Sequence, residues 1–328
     1  MRKIKIGILG VSNHLLKRIV LPLQNTANCE LVAIASRSMD KAKQFAKDFN
    51  IEKSFDSYQK LIDDKNVEAV YIPLPNHMHA EWIEKAAKAG KHILCEKPLT
   101  LDASEAQQSI NHCQKHQVKL MEAFMYKFHP QWMHIKNIIR TNQIGKIKYI
   151  NIAFAYNNPQ STNIRNIREY GGGAIMDIGC YAISVPRFLL DKEPQKVIAL
   201  CEYHREFKTD TLSTGILDFG DCRSTFNIST LSHPNQGVEI VGTSGTIKVT
   251  VPFNTYVDIK SEIIISTPQG ERNISFDICD QYGLMFEAFS ESVLQDTNPP
   301  VDPDDAVKNM KVIDAIFRSS KSSSWETI

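Results

Sequence analysis

The chain predicts an α/β protein in two parts: a doubly wound parallel sheet first, then an α+β domain. Three observations carry this. Strand-like and helix-like segments alternate over residues 1–123, the pattern of parallel strands joined by right-handed crossovers. The first strand ends at Gly10 and leads into a helix, the turn that a Rossmann-like nucleotide-binding domain places at its first crossover. From 196 to 276 the pattern changes to strands punctuated by Gly220-Asp221, Ser244-Gly245 and 268–270, as in an antiparallel or mixed sheet. The division is set at 1–123 and 124–328.

In order, 3–9 is a β-run and 15–25 has helical spacing up to an Asn-rich turn. Residues 30–36 form the second strand, and Ser38 is placed to cap the helix that follows around 41–46. A short helix is expected at 58–61 and a third strand at 69–72. The helix 81–89 is stopped by Gly90 in the C′ position. Strand 92–95, helix 103–116 and strand 119–123 complete the domain. Beyond it come a helix at 131–140, a strand at 146–156, a Gly-rich break and a helix at 174–190. Helices at 284–294 and 304–319 close the chain, and the serine-rich patch 319–324 reads as mobile.

Composition narrows the function. Of 328 residues 23% are charged and 42% hydrophobic, with a formal net charge of +1, so no nucleic-acid or membrane partner is expected. The start has no h-region, and no apolar run is expected to span a membrane. Seven cysteines, an odd number without a CxxC, argue against a disulfide framework or a zinc site and for a cytoplasmic location.

The chemistry concentrates at strand ends. After strand 92–95 comes Glu96-Lys97-Pro98, at the carboxyl edge where open α/β sheets bind ligands. A lysine there can polarise a carbonyl or lower a neighbouring acid's pKa. Gly10, Ser12 and Asn13 make a partial glycine fingerprint, with Leu15 where a third glycine would stand. The backbone amides of Ser12 and Asn13 can still face a pyrophosphate. The second strand ends Ser36-Arg37-Ser38, with Lys41 one turn on, where NAD-binding versions usually carry an acid at the strand end. An arginine fork suits a phosphate, so NADP(H) is preferred over NAD(H). Leu74, Pro75, Asn76 and His79 follow the third strand and are read as lining the cofactor cleft; His77 and His79 lack a third metal ligand, so no metal is expected. Finally, Gly171-Gly172-Gly173 precedes a helix with Asp177 and Tyr181 four residues apart on one face. A carboxylate and a phenol so placed suit a polyhydroxylated substrate, and Lys97 is the cation that would assist the phenol.

These motifs together resemble the Gfo/Idh/MocA oxidoreductase family over almost the whole chain. The resemblance rests on Gly10 with Ser12-Asn13, Ala35-Ser36-Arg37-Ser38, Pro75-Asn76-His77-Met78-His79 and Ala89-Gly90-Lys91-His92. It continues through Glu96-Lys97-Pro98-Leu99, 121–127, Asn163-Ile164-Arg165, 171–173 and Asp177-Ile178-Gly179-Cys180-Tyr181, then Gly242-Thr243-Ser244-Gly245 and Asp280-Gln281-Tyr282. It implies a second domain with a large, mostly antiparallel open sheet, one face of which joins subunits into a homodimer or homotetramer. It implies Lys97 beside nicotinamide and substrate, with Asp177 and Tyr181 as its partners in catalysis. Tyrosine at 181 matches the sugar-type and dihydrodiol-type branches. Ser12 and Leu15 depart from the family's glycine loop, and Lys127 stands where many relatives carry arginine. The expected reaction is hydride transfer between NADP(H) and a carbonyl or carbinol carbon of a carbohydrate-like substrate, keto-sugar reduction favoured. Pyranose or trans-dihydrodiol oxidation and a non-catalytic NADP-binding sensor are the alternatives. Arg165, Arg168 and Tyr282 are candidates for the substrate wall.

Overall fold

A computed structural model describes residues 2–328. The chain forms two compact units: the residues up to Phe128 together with Asp280–Val307, and His129–Cys279 together with Lys308–Ile328. The sequence division at 123/124 put 280–307 in the second domain, whereas the structure groups this stretch with the first. The reason lies in the helix Gln281–Leu294, whose Phe286 ring meets Tyr71 at 5.2 Å and whose Glu287 accepts a hydrogen bond from the Ala27 amide at 2.9 Å.

The first unit is built on six parallel strands: β1 (Ile4–Leu9), β2 (Cys29–Ala35), β3 (Lys53–Phe55), β4 (Ala69–Ile72), β5 (His92–Cys95) and β6 (Leu120–Glu122), in the order β3-β2-β1-β4-β5-β6. The order reverses between β1 and β4, which defines the crevice where such sheets bind ligands. Five of these strands were expected from the sequence; β3 was not. The strands are buried almost throughout, with Ile4, Ile8, Ala69, Val70 and Ile93 fully enclosed, as a sheet covered on both faces requires. Ser38 accepts from the Lys41 amide at the start of the helix Met39–Asp48, as expected, and Gly90 takes φ +72° after the helix His79–Lys88.

The second unit contains a nine-stranded sheet: β7 (Ile147–Asn157), β8 (Lys196–Tyr203), β9 (Asp210–Asp218), β10 (Arg223–Ser229), β11 (Leu231–Gly242), β12 (Thr246–Val249), β13 (Ser261–Thr267), β14 (Gly270–Phe276) and β15 (Glu326–Thr327). Their order is β14-β13-β12-β11-β7-β10-β9-β8-β15, and only β7 and β10 pair in parallel. The helical run that starts after Gly173 opens with a wide π-turn, Ile175–Gly179, and continues as Cys180–Leu190. The stretch Arg168–Leu190 is long and apolar enough to cross a membrane by length and composition, contrary to the sequence expectation. Yet 83% of its apolar window is buried inside the protein, as in a core helix. The patch 319–324 also differs from expectation. The helix Pro303–Ser322 runs into it, and the buried Ser319 hydroxyl donates to the Ser324 carbonyl at 2.6 Å and accepts the Ala199 amide at 3.0 Å.

Candidate active site

In the first unit the candidate residues gather at the carboxyl edge of the parallel sheet. β1 is followed by Gly10, whose φ of +112° disfavours any side chain; a Cβ there would also press on Leu74 at 3.1 Å. The chain turns helical at Asn13, and the Ser12 hydroxyl accepts the Leu15 amide at 3.2 Å. Ser12 thus acts as an N-cap, and the helix begins without a third glycine. At the end of β2, Ser36 is buried and accepts the Ser38 amide at 3.2 Å, while Arg37 and Lys41 are exposed. Burial raises the Tyr58 phenol's pKa, and Arg37's charge and hydrogen bond oppose this, so the guanidinium rests beside Tyr58. Tyr58's hydroxyl is itself 3.9 Å from the position a Gly10 Cβ would take. Gly10 and Arg37 therefore border the same tyrosine.

The loop after β4 is tied to the loop after β5. His79 is fully buried, with Nε2 2.8 Å from the Leu74 carbonyl and Nδ1 3.0 Å from the Pro98 carbonyl. The sequence reading had this imidazole lining the cofactor cleft. Instead it is enclosed and pins the residue after Lys97, and burial lowers its pKa against the pull of the two carbonyls. Pro75 and Asn76 remain half-buried in the loop. Glu122 braces the other side, accepting the Leu99 amide at 2.8 Å. Lys97 is half-buried between these anchors.

Glu96 is the centre of this edge. Its Oε1 accepts the Tyr71 hydroxyl at 2.6 Å and lies 3.6 Å from His14 Nε2; its Oε2 faces the Lys97 amide at 3.3 Å. Burial opposes its charge, but His14, Lys97 and the Tyr71 hydroxyl outweigh that and bring the carboxyl down to about 2. The His14 ring meets Tyr282 edge-on at 5.7 Å. Tyr282 thus stands in the first unit beside His14. Lys127 pairs with Asp305 at 2.5 Å and is nearly buried, over the Phe124 ring at 5.4 Å; its partner in this unit is the start of the last helix.

In the second unit, Asp177 and Tyr181 ride on the helical run after Gly173. Asp177 Oδ2 accepts the Tyr156 hydroxyl at 2.6 Å and Arg165 Nε at 3.0 Å. Burial, then the charge of Asp177, push the Tyr156 phenol far above its usual range, so it acts as a donor to the carboxylate. Tyr181 is 5% exposed, its ring 5.0 Å from Phe253 and 5.8 Å from Phe154. Arg168 is exposed on a one-turn helix and its charge reaches Tyr203. Gly173, at φ +124°, lets the backbone pass Asp210: a Cβ would fall 2.1 Å from its Oδ1. Asp210 in turn accepts the Ile175 amide at 2.8 Å.

His14, Tyr71, Glu122, Tyr156 and Asp210 were not singled out by the sequence reading. Each reaches its partner across a long sequence gap, so no local motif carries it. Among the described residues, no group of three or more His, Cys, Asp or Glu side chains could hold a metal ion.

The first unit fits a dinucleotide. Glycine at 10 leaves a cradle that a Cβ would fill, a capped helix starts behind it, and the end of β2 carries a cation with no acid beside it. A Rossmann-type sheet joined to a large open sheet is the build of a two-domain oxidoreductase. Residues 4–124 match the "Oxidoreductase family, NAD-binding Rossmann fold" and residues 132–248 the "GFO/IDH/MocA C-terminal domain". The chain belongs to the GFO/IDH/MocA oxidoreductase family.

An uncharacterized oxidoreductase of Rhizobium meliloti, ORF334, is 34% identical over 99% of both chains. The D-xylose 1-dehydrogenase (NADP(+)) 2 of Haloferax volcanii is 34% identical over 96% of this chain and 97% of its own. Among solved structures, the 3-ketoreductase KijD10 of Actinomadura kijaniata, in complex with NADP and TDP-benzene, superposes with a TM-score of 0.92 at 28% identity. That match covers 97% of this chain and 98% of KijD10.

Proposed function

We propose that this chain is an NADP(H)-dependent reductase of a keto-sugar or sugar derivative. The observation that carries the reading is the Asp177 carboxylate, held by Tyr156 at 2.6 Å and Arg165 at 3.0 Å on the helical run that also bears Tyr181. A carboxyl oriented by two donors, four residues before a phenol on one helical run, suits a substrate with a reacting oxygen and a neighbouring hydroxyl. The similarity to a ketoreductase solved with NADP supports the direction and the cofactor.

When bound, NADPH supplies the hydride to the carbonyl carbon. Tyr181 gives its proton to the carbonyl oxygen as negative charge grows there. Lys97 stabilises that charge and favours release of the phenolic proton. Asp177 fixes the substrate through a neighbouring hydroxyl and so lowers the entropic part of the barrier. Gly10, Ser12 and Asn13 would hold the pyrophosphate, and Ser36, Arg37 and Lys41 the 2′-phosphate. Leu74, Pro75 and Asn76 line the cofactor's side of the edge.

The test is NADPH consumption, followed by absorbance, against keto-sugars, nucleotide-linked keto-sugars and dicarbonyls, with the reverse reaction run on free pyranoses and NADP+. Turnover of a keto-sugar with NADPH is expected. The similarity to a D-xylose 1-dehydrogenase favours aldopyranose oxidation as the second reading, and faster turnover of pyranoses with NADP+ would establish it instead. NADPH binding without turnover of any compound would leave a sensor and overturn the enzyme reading. We also infer a homo-oligomer formed through the open face of the nine-stranded sheet.

A further inference from the structure

We propose that His14 is a positioning residue: from the dinucleotide loop it holds the Glu96 carboxylate in place next to Lys97. The proposal rests on the role given to Lys97 above.

Glu96 is an enclosed carboxylate, its side chain 13% exposed, and a buried charge with too few partners is costly. Tyr71 gives it one strong hydrogen bond at 2.6 Å. The remaining partner of Oε1 is His14 Nε2 at 3.6 Å, beyond hydrogen-bond length, so its hold is electrostatic. That nitrogen is shut off from solvent and makes no hydrogen bond; its polar edge has Glu96 to face. The ring is fixed from the other side by Tyr282, 5.7 Å away at 66°. Tyr282 is the second residue of a helix whose first amides are capped by Asp280, so its ring sits on a secured element. The other carboxylate oxygen, Oε2, faces the amide of Lys97. A shift of Glu96 therefore moves the backbone from which the Lys97 ammonium projects. His79 and Glu122 fix Pro98 and Leu99 after it, which leaves Glu96 as the adjustable anchor.

The experiment reads Glu96 itself, with no substrate or cofactor present. Carbon-13 NMR of carboxyl-labelled glutamate, with the Glu96 signal assigned by its loss in Glu96→Gln, gives the titration midpoint. The groups that face Glu96 are Tyr71, His14 and Lys97, with Cys95 and His79 also within electrostatic reach. Wild type is expected near 2. His14→Phe keeps a ring against Tyr282 and removes the cation, and should raise the midpoint by about one pH unit or more, the effect of a lost charge at this range. His14→Lys restores a cation and should return it toward wild type. His14→Gln gives the same reading as Phe should the Phe variant not fold. A midpoint unchanged to within a few tenths of a pH unit in the Phe or Gln variant overturns the proposal.

A second arm uses the keto-sugar that the wild type turns over best. His14→Phe should lower kcat by about tenfold, while the NADPH Kd from fluorescence titration moves by less than about threefold. A Kd loss larger than the kcat loss would assign His14 to the dinucleotide and overturn the proposal. If the wild type reduces nothing, the reductase reading fails while the Glu96 titration still decides the role of His14.

Discussion

At position 181 the phenol is carried on a ring packed against the stacked rings of Phe154 and Phe253, so its hydroxyl can be removed without loss of that packing. Tyr181→Phe should fold as wild type, bind NADPH, and lose about 10²–10⁴ in turnover, the usual contribution of a general acid. Lys97→Met should do the same, because its loop is held at Pro98 and Leu99 by His79 and Glu122. Steady-state kinetics with an NADPH titration check both, and near-normal turnover in either variant would contradict its role. Arg37 is the residue on which cofactor choice turns. A charge-assisted hydrogen bond to the 2′-phosphate is worth roughly 1.5–3 kcal/mol, about ten- to a hundredfold in affinity. Arg37→Ala should lower kcat/KM with NADPH by that factor and leave NADH almost unchanged; an unaltered ratio removes Arg37 from the site. The placement of Arg37 and Lys97 was legible in the sequence because each stands two residues after the end of a strand. Tyr156 and His14 were not, since Asp177 and Glu96, the groups they serve, lie far along the chain.

At the scale of elements, the start of the helical run that bears Asp177 rests on one buried carboxylate. Asp210 is 2% exposed and accepts the Ile175 amide at 2.8 Å and the Ser213 hydroxyl at 3.0 Å. Burial outweighs these bonds and raises its pKa to about 6. The folded state therefore keeps this proton at pH values where the unfolded chain has released it. Stability is greatest below the unfolded pKa of about 4 and falls as pH rises to about 6. The loss is about 3 kcal/mol, since each tenfold change in proton affinity is worth about 1.4 kcal/mol. Asp210→Asn cannot ionise, so the difference in urea-unfolding free energy between variant and wild type should grow in the variant's favour over that window. A difference constant with pH would show that Asp210 titrates normally. The same helix shows where sequence periodicity stops. A 3.6-residue repeat finds the helix at 174–190 but not its π-turn Ile175–Gly179, which carries Asp177. It likewise misses the π-turn Leu15–Ile19 that opens the first helix. Strand β3 escaped because three residues, Lys53–Phe55, are too few to show alternation and pair only with β2. The long apolar strands and Gly90 were legible because each signal is local.

At the scale of the whole molecule, the nine-stranded sheet buries one face and exposes the other. The alternation is visible in β9, where Ser213, Gly215 and Leu217 are buried while Leu212 and Thr214 are exposed. Across the exposed face stand Leu200, 69% accessible, Leu212 and Tyr149. Between them runs an uncharged row in which Thr214 bonds Asn227 at 2.8 Å and Thr225 bonds Asn151 at 2.7 Å. Leucine, tyrosine, threonine and asparagine form the neutral centre of this face, with Glu202, Arg223 and Glu239 beside them, and a neutral centre with charges around it is the make-up of an interface. A second copy of this chain is the occupant expected, because homo-oligomers most often join through one patch shared about a two-fold axis. Light scattering should then give a dimer or tetramer. Leu200→Lys combined with Thr214→Lys places two lysines on strands paired at that register, and a dimer through this face brings four such lysines into one interface. Like charges brought together and desolvated there cost several kcal/mol, so the double variant should run as a folded monomer with an unchanged circular dichroism spectrum. Persistence of the oligomer in that variant would exclude the sheet face as the joining surface. A wild-type chain that is monomeric at all concentrations would exclude the assembly itself.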